Sequence, residues 1–179
     1  MGLTELKREL RKLDKDMLIG LISDLYKKEK SVKQLLDFYV NPNEKELFEE
    51  YRHKVIVAFY PEHGYEINLK KGRQTISDFG KYSPSPHLLA DLMLVYVETG
   101  VSFTNDFGDM NESFYSSLES MYVRALKLMR KERILELFAD RAKRVIEDTR
   151  DVGWGFHDYL ADVYYGYFTD EINDSNVTL

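Results

Sequence analysis

The side chains with chemistry to offer are few: four histidines, His53, His63, His87 and His157, with the carboxylates near them. His87 and Asp91 stand four apart, as do Asp158 and Asp162. On a helix each pair would set two ligands on one face, the geometry a metal ion needs. No His-Glu-x-x-His pair occurs, and such spacings are common on exposed helices, so an ordinary polar pair outranks a metal site. Trp154 is the only tryptophan, and Gly153 and Gly155 flank it in Asp151-Val152-Gly153-Trp154-Gly155-Phe156-His157-Asp158. Glycines permit unusual backbone angles and close approach of a ligand. A pocket using Trp154, His157 and Asp158, joined by His87 and Asp91, is the sharp reading. A loop-to-helix joint with Trp154 wedged into the core is the plainer one, and it is preferred.

Other chemistries are not written into the chain. There is no cysteine, which removes disulfides, thiolate zinc sites and cysteine nucleophiles together. Gly72, Gly80 and Gly108 form neither a Walker loop nor a G-x-G-x-x-G pattern, so no cofactor is expected. Phe103 to Asp109 gathers oxygen-bearing side chains but lacks the twelve-residue calcium-loop layout; polar residues ending a helix explain it. The pattern points away from an enzyme.

These residues must be carried by helices. Leu3, Leu6, Leu10 and Leu13 form a first amphipathic stripe, and Asp14 is placed to cap a second helix bearing Leu18, Leu21, Ile22 and Leu25. Ser31 caps a third, with Val32, Leu35, Leu36 and Tyr39 on one side. Asn41-Pro42-Asn43-Glu44 reads as a capping box, with Asn41 as cap and Pro42 at the first helical position. The next stripe, Phe48, Tyr51, Val55 and Phe59, predicts helix through Tyr60 and loop over 61–69, in preference to a hairpin at 55–69. A weaker helix follows over 70–81. Ser85 and Pro86 open an apolar helix over 86–106, the predicted centre of the core. Helices are expected over 112–130 and 132–149, and a last one from Phe156 carries Leu160, Val163, Tyr164 and Tyr167. Residues 1–168 read as a single helical domain, and 169–179 as a polar tail. Short connections favour antiparallel neighbours, so the expected fold is all-α: an irregular helical bundle or short α–α superhelix of stacked hairpins, with eight or nine helices. Leu21, Leu25, Leu36, Leu92, Tyr96, Leu118, Met121 and Phe138 are its predicted core.

Charge and hydropathy bound the partners. The longest apolar runs, Val55–Tyr60 and Leu92–Val97, fall well short of the roughly 20 residues that span a bilayer. The opening stretch has no signal-peptide core, so a cytoplasmic protein without membrane contact is expected. The net charge is −6. Residues 1–80 hold 15 basic against 14 acidic side chains, and residues 81–179 hold 10 against 17. Lys7, Arg8, Arg11, Lys12 and Lys15 would face phosphates, yet Glu5, Glu9, Asp14 and Asp16 are interleaved with them, so their field cancels beyond about 8 Å. Weak nucleic-acid binding is therefore the lesser alternative. Thirteen tyrosines mark an aromatic-rich chain, and Tyr159, Tyr164, Tyr165 and Tyr167 crowd one helix that cannot turn them all inward. That surplus predicts a protein contact, with Tyr164 and Tyr167 as its candidates. A helical protein-interaction module is the expected function; the oligomeric state is left open.

The strings LTELKRELRKLDKDMLIGLISDLYKK, NPNEKEL, SPSPHLLADLMLVYVETGVSFTNDFGD and VGWGFHDYL resemble a family of bacterial proteins catalogued only as a domain of unknown function. The resemblance runs through most of the chain. It implies a small helical cytoplasmic protein and assigns no activity or site. The first hairpin also resembles SAP-type DNA-binding modules through Leu6-Lys7, Leu10-Arg11 and Leu18-Ile19, but its linker is shorter and the glycine before the second helix is absent.

Overall fold

Local signals settle the first turns. Asp14 accepts a hydrogen bond from the Met17 backbone N–H at 2.8 Å and opens α2, Lys15–Lys28. Before it lies α1, Leu3–Leu10, and after it α3, Lys30–Val40. The computed structural model describes residues 2–64 and 66–175, with side chains through Phe168. Its contacts divide into two compact units, one up to Asn43 and one from Glu44 onward.

In the first unit α2 packs on α3, and the Tyr26 hydroxyl donates to Asp37 at 2.8 Å. None of its described residues is buried. Leu21 and Leu25, predicted as core, are each 42% exposed, and Leu36 is half-buried. The stripes exist, but a unit of this size has too little chain to wrap around them. The third helix starts at Lys30 with Glu29 in the cap position, so Ser31 lies inside it rather than capping it.

The second unit contains α4 (Glu44–Phe59), α5 (Leu69–Gly80), α6 (Pro86–Phe107), α7 (Glu112–Lys131), α8 (Ala139–Glu147) and α9 (Phe156–Ser175). Among the described residues these are nine helices in all and there is no strand, so the fold is all-α. The stripe from Phe48 does continue as helix to Phe59, and the described residues between it and Leu69, 60–64 and 66–68, are loop. The predicted capping box is displaced: α4 opens at Glu44, and the Glu44 carboxylate instead accepts from the Ser85 N–H at 3.1 Å. Of the tail expected at 169–179, residues 176–179 and the side chains of 169–175 lie outside the described residues; the α9 backbone is helical to Ser175.

α6 is the central element, packed by α4, α5, α7 and α8. Leu92, Leu94, Tyr96 and Val97 are fully buried on it, and Gly100 lets Leu118 of α7 press against its backbone. Of the other predicted core residues Leu118, Met121 and Phe138 are also buried.

The helix expected over 132–149 is broken. α7 ends in a Schellman motif: the Ile134 N–H reaches the Met129 carbonyl at 2.9 Å, and the Arg133 N–H reaches that of Arg130 at 3.1 Å. Arg133 sits at φ 58°, the left-handed conformation usually given to glycine. A 3-10 turn, Leu135–Phe138, then leads into α8.

Candidate functional site

Each predicted site residue has a definite place. His87 lies on the surface at the start of α6, with its ring 5.0 Å from that of Phe138. Asp91 does not share a ligand with it. The carboxylate accepts from Arg141 Nη1 at 2.6 Å, and the same guanidinium grips Glu98 with two bonds, at 2.6 and 2.7 Å. These charge-assisted bonds hold the Arg141 proton more firmly than in water, despite partial burial that opposes it. Asp91 and Glu98 are seven apart, two helical turns, and bracket the apolar run Leu92–Val97; sequence reasoning missed Arg141.

Trp154 is 64% exposed, so the preferred reading of a tryptophan wedged into the core is wrong. Its backbone explains why. Trp154 sits at φ 63° and Gly155 at φ 69°, a left-handed pair that turns the indole outward as the chain enters α9. The turn is built from below by Tyr115. That buried hydroxyl meets Thr104 Oγ1 at 2.7 Å, accepts from the Met110 N–H at 3.0 Å and donates to Asp109 Oδ1 at 3.0 Å. Asp109 in turn accepts from the Gly153 N–H at 3.4 Å, and a Cβ on Gly153 would sit 2.9 Å from Asp109 Oδ2. Asn105 adds a bond to the Asp148 carbonyl at 3.0 Å. The polar run at 103–109 thus ends α6 and also fastens the loop at 148–155. Tyr115 and Asp109 were not foreseen; glycine at 153 was their one sequence trace.

His157 is half-buried and belongs to the same scaffold. Its Nδ1 lies 3.1 Å from both the Ile146 carbonyl and Thr149 Oγ1. A carbonyl only accepts, so Nδ1 carries a proton and donates, and His157 closes the end of α8. Asp158 and Asp162 are exposed. No hydrogen bond, ion pair or ring contact joins His87 or Asp91 to Trp154, His157 or Asp158 among the described residues, and none there groups three metal-ligating side chains.

The tyrosine surplus is resolved residue by residue. Tyr164 is 8% exposed, stacked on Phe168 at 4.3 Å, with its hydroxyl donating to the Ala139 carbonyl at 3.4 Å. Tyr167 is half-buried beneath the Arg130 guanidinium at 4.3 Å. The two that remain outside are Tyr159, 43% exposed, and Tyr165, 56% exposed. Tyr159 forms one wall of a shallow groove of about 420 Å³ against α7, whose side of it carries Ser116, Glu119, Ser120, Val123, Arg124 and Lys127. Burial, and secondarily the charge of Glu112, raises the pKa of Glu119 there.

In the first unit the basic residues are partly spent: Arg8 pairs with Glu5 and Glu9, and Lys12 with Glu9 at 2.7 Å. Met17, Ile19 and Ile22 join Leu21 and Leu25 as exposed apolar side chains of α2.

A family of unknown function (DUF6155) matches residues 1–167. The chain belongs to this family. No curated protein and no solved structure matches it. For the family, then, the geometry above is what speaks to function. In this member no helix among the described residues is long and apolar enough to cross a membrane.

Proposed function

We propose that the chain is a bacterial, cytoplasmic helical module that binds another protein, with Trp154 as its anchor. The observation that carries this reading is the exposure of that indole on a loop held in a left-handed conformation. Left-handed backbone costs a non-glycine residue roughly 1–2 kcal/mol, and glycine or asparagine would relieve it. Tyr115 and Asp109 hold the turn instead of letting it relax. A large aromatic on a rigid, prepaid loop is what a binding hot spot requires, because little entropy is lost when the partner closes over it. Tyr159, five residues further on, is also exposed.

The test is affinity capture from the source cell with the full chain and with Trp154→Ala. The proposal expects a specific partner whose binding weakens at least tenfold in the variant, with helicity unchanged. The emission of Trp154, the sole tryptophan, should shift to shorter wavelength when that partner binds. A partner held equally well by the variant would remove Trp154 from the role.

A further inference from the structure

The first unit lacks an interior: none of its described residues is buried. Yet α2 carries Met17, Ile19, Leu21, Ile22 and Leu25, each between 42% and 59% exposed. Roughly 60–100 Å² of apolar surface is left on each of them. Tyr39, 82% exposed at the end of the α3 stripe, brings the total to roughly 500 Å². A specific interface of standard size takes about 450–520 Å² of apolar surface from each partner. Units of about 40 residues usually need a disulfide, a metal or association to hold their fold. This chain has no cysteine, and no three metal-ligating side chains cluster among the described residues. A cover that the fold itself needs must be present whenever the chain is, and the chain itself meets that condition.

We propose that α2 docks antiparallel on α2 of a second copy, so that two α2–α3 hairpins close into a four-helix arrangement. Successive residues of a helix are about 100° apart, so Leu18, Leu21, Ile22 and Leu25 share an arc of about 100°. Their spacing reads the same in both directions. A two-fold axis across the helix between Leu21 and Ile22 therefore sets Leu18 against the partner's Leu25, and Leu21 against the partner's Ile22, at equal height. α3 leaves the arc open. Tyr26, where Asp37 and Lys33 of α3 make contact, lies about 90° round the helix from the arc's centre. The charges of α2 keep clear of the seam as well. Asp16 and Lys27 lie opposite the arc, and Asp24 is about 110° from its centre. At each end the same rotation brings Asp14 and Lys15 level with the partner's Glu29 and the partner's Lys28. Each end thus gathers two cations and two carboxylates and carries no net charge. The seam is apolar along its length, so salt should not loosen the dimer. None of these residues takes part in the role given to Trp154.

Sedimentation of the full chain across about 1–500 µM, at low and high salt, tests it. The wild type should dimerise at both. Leu21→Glu/Leu25→Glu should weaken the dimer at least tenfold, with helicity unchanged by circular dichroism. Because the chain has no cysteine of its own, single cysteines read the register. With helix axes about 9–10 Å apart, the two Leu21 Cα atoms stand about 6–7 Å apart, at the upper edge of disulfide reach. Leu21→Cys should therefore cross-link to itself under mild oxidation. Leu18→Cys should cross-link only when mixed with Leu25→Cys, and Ser23→Cys, on the far side of α2, not at all. These cysteine variants decide the matter if the glutamates unfold the chain. A wild type that stays monomeric to the highest concentration, a dimer that survives the two glutamates in a folded chain, or a Ser23→Cys that cross-links as fast as Leu21→Cys would each overturn the proposal. A monomer whose Leu21→Cys thiol resists labelling would overturn it too, and would give the cover to the chain's own second unit.

Discussion

Replacing Tyr115 with phenylalanine removes one oxygen from the buried joint beneath the Trp154 loop and leaves the ring in place. That ring stays packed, 4.9 Å from Phe156 and 5.4 Å from Phe114. Three bonds are lost, but they do not cost the same. Thr104 still has the Gly108 carbonyl at 3.1 Å, and exposed Asp109 can turn to water. The half-buried Met110 N–H loses its acceptor outright. A lost neutral bond costs about 1 kcal/mol and an orphaned buried donor about 1–2 more, so Tyr115→Phe should cost about 2–3 kcal/mol. At this chain length that lowers Tm by roughly 4–12 °C. Urea unfolding followed by far-ultraviolet circular dichroism reads the stability. The steady-state anisotropy of Trp154, the only tryptophan, reads the loop and should fall. Tyr165→Phe, on a 56% exposed side chain, is the control and should stay within about 0.5 kcal/mol. A Tyr115→Phe cost no larger than the control's would refute the account of how the loop is held.

Arg141→Met should cost about 2 kcal/mol, because it leaves Asp91 and Glu98 together without their cation; the partial exposure of all three keeps the figure below that of a buried triad, and Arg141→Lys should not rescue the two-bond grip on Glu98. Gly100→Ala should destabilise by up to about 2 kcal/mol, since overpacking against Leu118 and Phe59 outweighs the gain in helix propensity, whereas Gly166→Ala, with nothing near its Cβ, should stabilise; chemical denaturation of both decides. Burial raises the pKa of Tyr51, Tyr60 and Tyr122, so the folded state favours their neutral form; their contribution is full below about pH 10 and is lost as pH rises above it, which an alkaline titration by circular dichroism would show. Glu119 follows the same sign in a lower pH range: burial and the nearby Glu112 raise its pKa, so its favourable share is present in acid and lost towards neutrality, and Glu119→Gln should stabilise the protein at pH 7 while changing little near pH 3.

What could be read in the sequence was local. Asp14 caps α2 because its carboxylate needs only a neighbour three residues on, and the run from Phe48 to Phe59 is helical because every apolar side chain on one face finds α5 or α6. The capping box at 41–44 failed for a long-range reason: Glu44 spends its carboxylate on Ser85. The break after α7 was invisible since the left-handed position holds Arg133, with no glycine to mark it. Amphipathicity revealed that α2 has an apolar face, but not whether anything covers it, and so Leu21 and Leu25 were placed inside. Hydrophobicity put Trp154 in the core; a backbone turn, anchored through Asp109 to Gly153 across 44 positions, puts it outside. Arg141 escaped notice for the same cause, its partners lying 43 and 50 residues earlier.

α7 and α9 run parallel, with the Tyr115 ring 4.9 Å from Phe156 at one end and Arg130 over Tyr167 at the other, and this bears on how the chain is made. Two parallel neighbours need a return path between them, here residues 132–155 with α8 inside it. Phe156 and Leu160 are fully buried and Tyr164 nearly so, which means that α9 supplies part of the wall against which α7 rests. During synthesis at 5–20 residues per second, about 2–7 s separate the appearance of Lys131 from that of Tyr164. For that interval the inner side of α7 has no lid, and a ribosome stalled there would hold a chain with its largest apolar helix pair half open. A chain cut before Phe156 should therefore expose the apolar side of α7 that Phe156, Leu160 and Tyr164 cover, and limited proteolysis of such a truncation should be faster than that of the full chain.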